Sequence, residues 1–192
     1  MWSAPVTIAG PLAEPVSLAQ AKAFVSVDAE ETTFDGQLGA FVMAAREQLE
    51  VVTGVRVAPV TLELGARCWG DLARLPVGPV TAVTGIVWDD TAGTAQVLDP
   101  AAYELCGAGL SRGIRRKVGA SWPGGVRPVE GAIRVTVEAG FEPIPGPLWT
   151  AILLMVGDLF AHRETAVVGT VSAKVLTSMQ VDHLIANYRI WA

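Results

Sequence analysis

The run "FVMAAREQLEVVTG", Phe41 to Gly54, sets an arginine and two carboxylates, Arg46, Glu47 and Glu50, within five positions. Such a group is the material of acid–base chemistry, provided a partly desolvated pocket holds it. The spacing points elsewhere. Leu38, Phe41, Val42, Ala45, Leu49 and Val52 recur at the three-and-four rhythm of a helix stripe, so the charged trio falls on its rim and back. Arg46 and Glu50 are four apart and can pair across one turn for about 0.3 kcal/mol.

No other reactive constellation emerges. His162 and His183 lack a second ligand at helical spacing, so neither a metal nor a cofactor is expected. His162, Arg163 and Glu164 read as the polar end of a helix. "GAGLSRG", Gly107 to Gly113, lacks the third glycine of a phosphate loop and reads as an ordinary turn. Nucleophile-elbow and Walker patterns are absent. Cys68 and Cys106 lie 38 positions apart without paired spacing. They read as free thiols of an intracellular protein, with a disulfide between them as the alternative.

Two other runs suit binding better than reaction. "SRGIRRKVG" carries Arg112, Arg115, Arg116 and Lys117 within six positions, either as a solvated loop or as a basic loop touching phosphate or an acidic partner. The chain ends on Tyr188, Arg189, Ile190 and Trp191, and Tyr, Arg and Trp are favoured interface anchors. Packing back on their own subunit is the alternative.

The elements that position these groups follow from the pattern. Residues 1–16 are Pro-rich and expected to be extended. A short helix begins at the cap Ser17, with Leu18, Ala21, Phe24 and Val25 on one face. The long helix follows from about Thr33 to Thr53, with Thr32 or Thr33 as cap, Asp35 at its positive end and Gly54 as left-handed stop.

From Val55 the rhythm turns to alternation. "VRVAPVTLEL", "VTAVTGIVWDD", "AQVLD", "YELC" and "GAIRVTVEAG" read as strands between turns such as "DDTAG" and "WPGG". "PIPGPLWTAILLMVGDLFAHRE" restores the helical rhythm with Pro147 in its first turn, and it is apolar on most of its circumference, which demands a central place. "AVVGTVSAKVLTS" reads as a loop or hairpin-like segment, and a short helix with Val181, Leu184, Ile185 and Tyr188 ends the chain. The expected organisation is one domain: N-terminal helices 17–54, a β insertion 55–140, a central helix 145–164, and a loop, short helix and tail 165–192. The fold class is α+β, a mainly helical body of about four helices with an antiparallel β insertion between the second and third.

At 192 residues the chain can bury one substantial core. Hydrophobic residues make up 51% and charged residues 17%, an apolar excess that a subunit interface would absorb. A net charge of −5 and a pI near 5.0 argue against gripping nucleic acid through its phosphates. The N-terminus lacks the pattern of a secretory signal. The apolar run around Leu153 carries Asp158 and falls short of the roughly 20 residues of a membrane span. A cytoplasmic location is expected, or one in a particle assembled there.

The order of "PVSLAQAKAFVSVD", "FVMAAREQLEVVTG", "LPVGPVTAVTGIVWDD" with "YEL", "SWPGG", "IRVTVEAGF", "PLWTAILLMVGDLFAHRE" and "NYRIW" resembles the head-to-tail connector (adaptor) family of tailed phages and gene transfer agents over most of the chain. That resemblance implies a structural protein without catalytic residues, assembled as a ring of about twelve copies under a portal protein. Such a ring extends the channel for packaged DNA, without sequence-specific binding, and offers a surface to stopper or tail-completion proteins. It implies portal docking through Tyr188, Arg189, Ile190 and Trp191. Arg112, Arg115, Arg116 and Lys117 would face the channel or a partner, and Arg46 and Glu50 would make inter-subunit helix contacts. Other readings are a different neck or tail-completion protein, a small hydrolase using Glu47 or His162, and a DNA-binding packaging factor, which the acidic charge disfavours.

Overall fold

In the computed structural model of the chain, residues 2–162 and 179–190 are described. They divide into two compact units, one of residues 2–12, 54–142 and 190, the other of residues 13–53, 143–162 and 179–189.

The first unit is built on strands β1 (Val6–Ala9), β2 (Val60–Ala66), β3 (Val80–Asp89), β4 (Ala95–Val97), β5 (Tyr103–Ala108), β6 (Ser111–Arg116) and β7 (Ile133–Ala139). Five of them form an antiparallel sheet in the order β1-β2-β7-β3-β4, and β5 and β6 form a separate hairpin. Alternation sets the faces. In β2, Val60, Leu62, Leu64 and Ala66 are buried while Thr61, Glu63 and Gly65 lie outward, and β7 repeats this with Ile133, Val135, Val137 and Ala139 inward. The two strands pair without a slip from Val60↔Ala139 to Ala66↔Ile133, so their inward residues stand opposite one another. These side chains join Ile86 of β3, Leu72 and Leu75 of the following turn, and Tyr103 and Ile114 of the hairpin in one core.

The hairpin is fastened by the backbone as well. The Leu75 amide donates to the Arg112 carbonyl at 2.8 Å. The 3-10 turn Trp69–Ala73 presses its backbone so close to Gly113 that a Cβ there would collide with the Ala73 carbonyl. Only glycine fits at that crossing.

The second unit contains helices α1 (Leu18–Phe24), α2 (Asp35–Thr53), α3 (Gly146–Ala161) and α4 (Met179–Ile185). Ser17 caps α1 in a reciprocal box with Gln20, and Gly54, at φ 74°, follows α2 as its left-handed stop. Pro147 occupies the first turn of α3. Leu148, Ala151, Ile152, Leu153, Met155 and Val156 of α3 are buried, and the helix packs on α1, α2 and α4. The central position demanded by its apolar circumference is therefore met. Phe34 and Phe160 meet edge-to-face at 5.5 Å, a favoured aromatic geometry.

The expectation of a mainly helical body is overturned. The chain has four α-helices among the described residues, but these residues are only 35% helical, and the strands form a unit with its own core. Two features of the sequence concealed this. The Pro-rich start is extended as expected, but Val6–Ala9 also pairs with β2 as an edge strand. The Arg-rich stretch is expected as a loop, whereas Ser111–Arg116 is a strand paired along its length with β5. The segment expected as a loop or hairpin at 166–178 lies outside the described residues.

Burial of the paired strands sets a measurable cost. Leu62→Ala, at a fully buried site, is expected to lower unfolding stability by about 2–5 kcal/mol in a denaturant titration. Val97→Ala, at an exposed position on β4, should stay within about 0.5 kcal/mol of the parent.

Candidate functional site

Arg46 is the centre of an ion-pair cluster that its helical spacing only half predicts. Its Nε donates to Glu14 Oε2 at 2.8 Å and its Nη2 to Glu14 Oε1 at 3.2 Å, while Nη1 stands 3.5 Å from Glu50 Oε2 and Nη2 lies 3.4 Å from Glu47 Oε1. The i,i+4 pair exists, but its placement on the helix rim and back is corrected. The Arg46 and Glu50 side chains are 9% and 5% exposed, so they are committed within their own unit and have little surface to give a neighbouring subunit. Burial alone would weaken the Arg46 charge. The hydrogen bonds that Arg46 donates to Glu14, and the charges of Glu14, Glu50 and Glu47, outweigh it and hold the guanidinium pKa above its ordinary value. Glu14 lies 32 positions away in the Pro-rich start, and no periodicity links it to α2.

Lys22 is a second buried charge, also unnoticed from the sequence. Its Nζ donates to the carbonyls of Ala29 and Glu31 at 3.1 and 2.7 Å and pairs in charge with Asp35 where the chain turns from α1 to α2. These clusters hold helices and a loop in place.

In the β unit, Arg134 and Asp89 form a two-pronged pair at 2.7 and 3.0 Å across β7 and β3. The hydrogen bonds from Arg134, and then its charge, hold the Asp89 carboxyl below its ordinary pKa of 3.8. Trp69 stacks on Trp122 with centroids 4.9 Å apart and meets Trp88 edge-on at 6.2 Å, while its Nε1 donates to the Pro123 carbonyl at 2.9 Å. This cluster ties the "WPGG" turn to the sheet.

The basic run is not a loop. Strand alternation puts Arg112 and Arg116 on the face of Ile114 and puts Arg115 on the other, where its Nε donates to Glu104 Oε1 at 2.7 Å across the hairpin. Arg116 and Lys117 are exposed and form no ion pair among the described residues. At the C-terminus, Tyr188 closes a 3-10 turn, Arg189 Nη2 stands 2.9 Å from Asp182 Oδ1, and Ile190 lies over Gly78 and Gly54. A Cβ at Gly78 would come within 3.0 Å of Ile190 Cδ1. All three residues are half-buried, and Trp191 lies outside the described residues.

The residues considered for chemistry are not gathered into a reactive group. Glu47 is exposed beside Arg46, His162 caps the end of α3 with its Nδ1 2.9 Å from the Asp158 carbonyl, and His183 is exposed on α4. Cys68 is exposed and Cys106 half-buried, both free. No helix among the described residues is long and apolar enough to cross a membrane.

Charge is unevenly divided. By sequence, the β unit holds nine basic and nine acidic residues, a net of zero, whereas the helical unit holds five basic against ten acidic, which accounts for the whole chain's −5. Exposed apolar side chains are present on both, among them Val6, Ile8 and Val118 on the first and Met43, Val51 and Met179 on the second.

Two tests address the buried charges. Arg46→Ala is expected to cost about 3–5 kcal/mol, because it takes the guanidinium away from the buried Glu50 carboxylate and from Glu14. Glu47→Ala, at an exposed carboxylate, should cost less than about 1 kcal/mol in the same denaturation assay. For Asp89, a carboxyl with a depressed folded-state pKa contributes stability above its unfolded value and loses it as pH falls through the lower folded value. The melting temperature should therefore fall as pH drops below about 3.8, and Asp89→Asn should fall less steeply over that range.

No protein-family model and no curated protein matches the sequence. Solved structures do match. A chain from the neck of an empty GTA particle computed with C6 symmetry superposes with a TM-score of 0.75 at 21% identity, covering 99% of this chain and 97% of that one. A chain from the virion of a native gene transfer agent (GTA) particle gives 0.75 at 21% identity over 98% and 96%. One from the neck of a native GTA particle computed with C12 symmetry gives 0.67 at 21% identity over 96% of both. The chain therefore shares its fold, along nearly its whole length, with neck chains of gene transfer agent particles, consistent with the head-to-tail connector resemblance of its sequence.

Proposed function

We propose that this chain is a structural component of the neck of a phage-like particle, a head-to-tail connector that works by binding and not by catalysis. The observation that carries the reading is the end-to-end likeness of fold to chains of gene transfer agent necks. The C12 symmetry of one such neck supports a closed ring of about twelve subunits here. In that ring each copy presents two different patches to its neighbours, and the exposed apolar residues on both units fit a chain whose burial is completed by assembly.

On this reading the ring sits beneath a portal protein, continues the channel for packaged DNA, and offers its other face to stopper or tail-completion proteins. The acidic net charge suits a conduit, since a lumen that held phosphates firmly would retard the passage of DNA. Tyr188, Arg189, Ile190 and Trp191 are the proposed portal contact, and the half-buried positions of Tyr188, Arg189 and Ile190 leave surface to cover. Assembly takes place in the host cytoplasm. A different neck or tail-completion protein is the second reading; it changes the partners and leaves the structural role.

Native mass measurement from micromolar to near-millimolar protein, with electron microscopy of any large species, tests the ring. A closed oligomer of about twelve copies is expected. A tight two-fold dimer at every concentration would sink the proposal. Trp191→Ala is expected to weaken capture by a portal ring, and equal capture would remove the tail from the docking surface.

A further inference from the structure

The division of charge between the two units has a geometric use in a ring. A contact between unlike patches repeats around a closed ring, whereas a two-fold contact stops at a dimer. One candidate patch is the outward face of α2, where Met43, Glu47 and Val51 stand at successive i,i+4 positions. Val51 is 79% exposed, Met43 48%, and the Glu47 side chain 61%. This stripe is apolar, acidic, apolar, and it belongs to the unit that carries the whole chain's negative charge.

The opposite chemistry lies where β6 ends. Arg116 and Lys117 are exposed without an ion pair among the described residues, and the next residue, Val118, is fully exposed. Here the order is basic, basic, apolar on a unit of zero net charge. The pairing of β6 with β5 and the Leu75–Arg112 hydrogen bond hold this end on a fixed strand.

We infer that the occupant of the α2 face is a second copy of this chain, which inserts the β6 end, Arg116, Lys117 and Val118, against Met43, Glu47 and Val51. The inference rests on the ring proposed above and names the contact that closes it. Sign complementarity selects the head-to-tail pairing. Two α2 faces brought together would oppose like charges, and so would two β6 ends. Every subunit then gives one patch and receives the other, and association weakens with salt because both charged groups sit near solvent.

Charge reversal in the full chain tests this directly. Glu47→Lys alone and Arg116→Glu with Lys117→Glu alone should each weaken self-association by at least about tenfold while circular dichroism stays that of the folded parent; the melting temperature is expected unchanged for the β6-end variant and somewhat lower for Glu47→Lys, which sets a lysine beside Arg46. An equimolar mixture of the two variants should recover large species, since in an alternating ring each reversed patch meets a reversed patch of opposite sign and each unreversed patch meets an unreversed one. Combining all three changes in one chain should recover them as well.

Variants that assemble as the parent does would overturn this contact while leaving the ring intact. A parent that never exceeds a dimer up to near-millimolar concentration would remove the ring and this contact with it. If the Arg116/Lys117 reversal leaves assembly unchanged but lowers retention of a DNA duplex, the β6 end faces nucleic acid and the inference fails.

Discussion

The β unit depends on the backbone pairing of β7 on both of its edges. Ile133–Ala139 is last among the strands in sequence and central in the sheet, hydrogen-bonded to β2 on one side and β3 on the other. Its inward residues place Leu62 and Leu64 against Ile86 and bring the hairpin residues Tyr103 and Ile114 into the same core. Because the partners of β7 are separated from it by dozens of residues, the sheet requires long-range closure before burial rewards it. The unit is thus defined by one strand's position, and the outer strands β1 and β4 remain as its edges.

The helical unit is organised differently. Its core is the apolar circumference of α3, but its loops are positioned by charges taken out of water. Arg46 gathers Glu14, Glu47 and Glu50, and Lys22 gathers two carbonyls and Asp35. Buried ions are tolerated because almost every donor finds a partner, and the geometry fixes where the chain enters α1 and α2. An arginine with carboxylates around it resembles a reactive site only until its partners are counted. The arginine is committed to three carboxylates, of which Glu47 stays open to solvent.

These two modes of organisation fit a chain whose work is done by surfaces. Each unit has its own interior and its own exposed side chains, Arg116, Lys117 and Val118 on the β unit and Met43, Glu47 and Val51 on the helical one. The proposed ring would need such side chains as complementary lateral patches. At 21% identity the fold is retained over nearly the whole chain.

By itself the sequence determined whatever depends on near neighbours. The Ser17 cap, the stripe of α2, the stop at Gly54, Pro147 in the first turn of α3 and the alternation of β2 and β7 all follow from periodicity and local backbone preference within a few residues. Its order of motifs also carried the family resemblance. Tertiary structure alone decided the strand order β1-β2-β7-β3-β4, the use of residues 6–9 as an edge strand, the hairpin made from the basic run, and the reach of Glu14 to Arg46. Arg46 shows the division within one residue. Its pairing with Glu50 is a property of helical spacing, but its burial depends on Glu14 arriving from 32 positions away, and no local pattern specifies which distant group will fill a site that only the assembled packing creates.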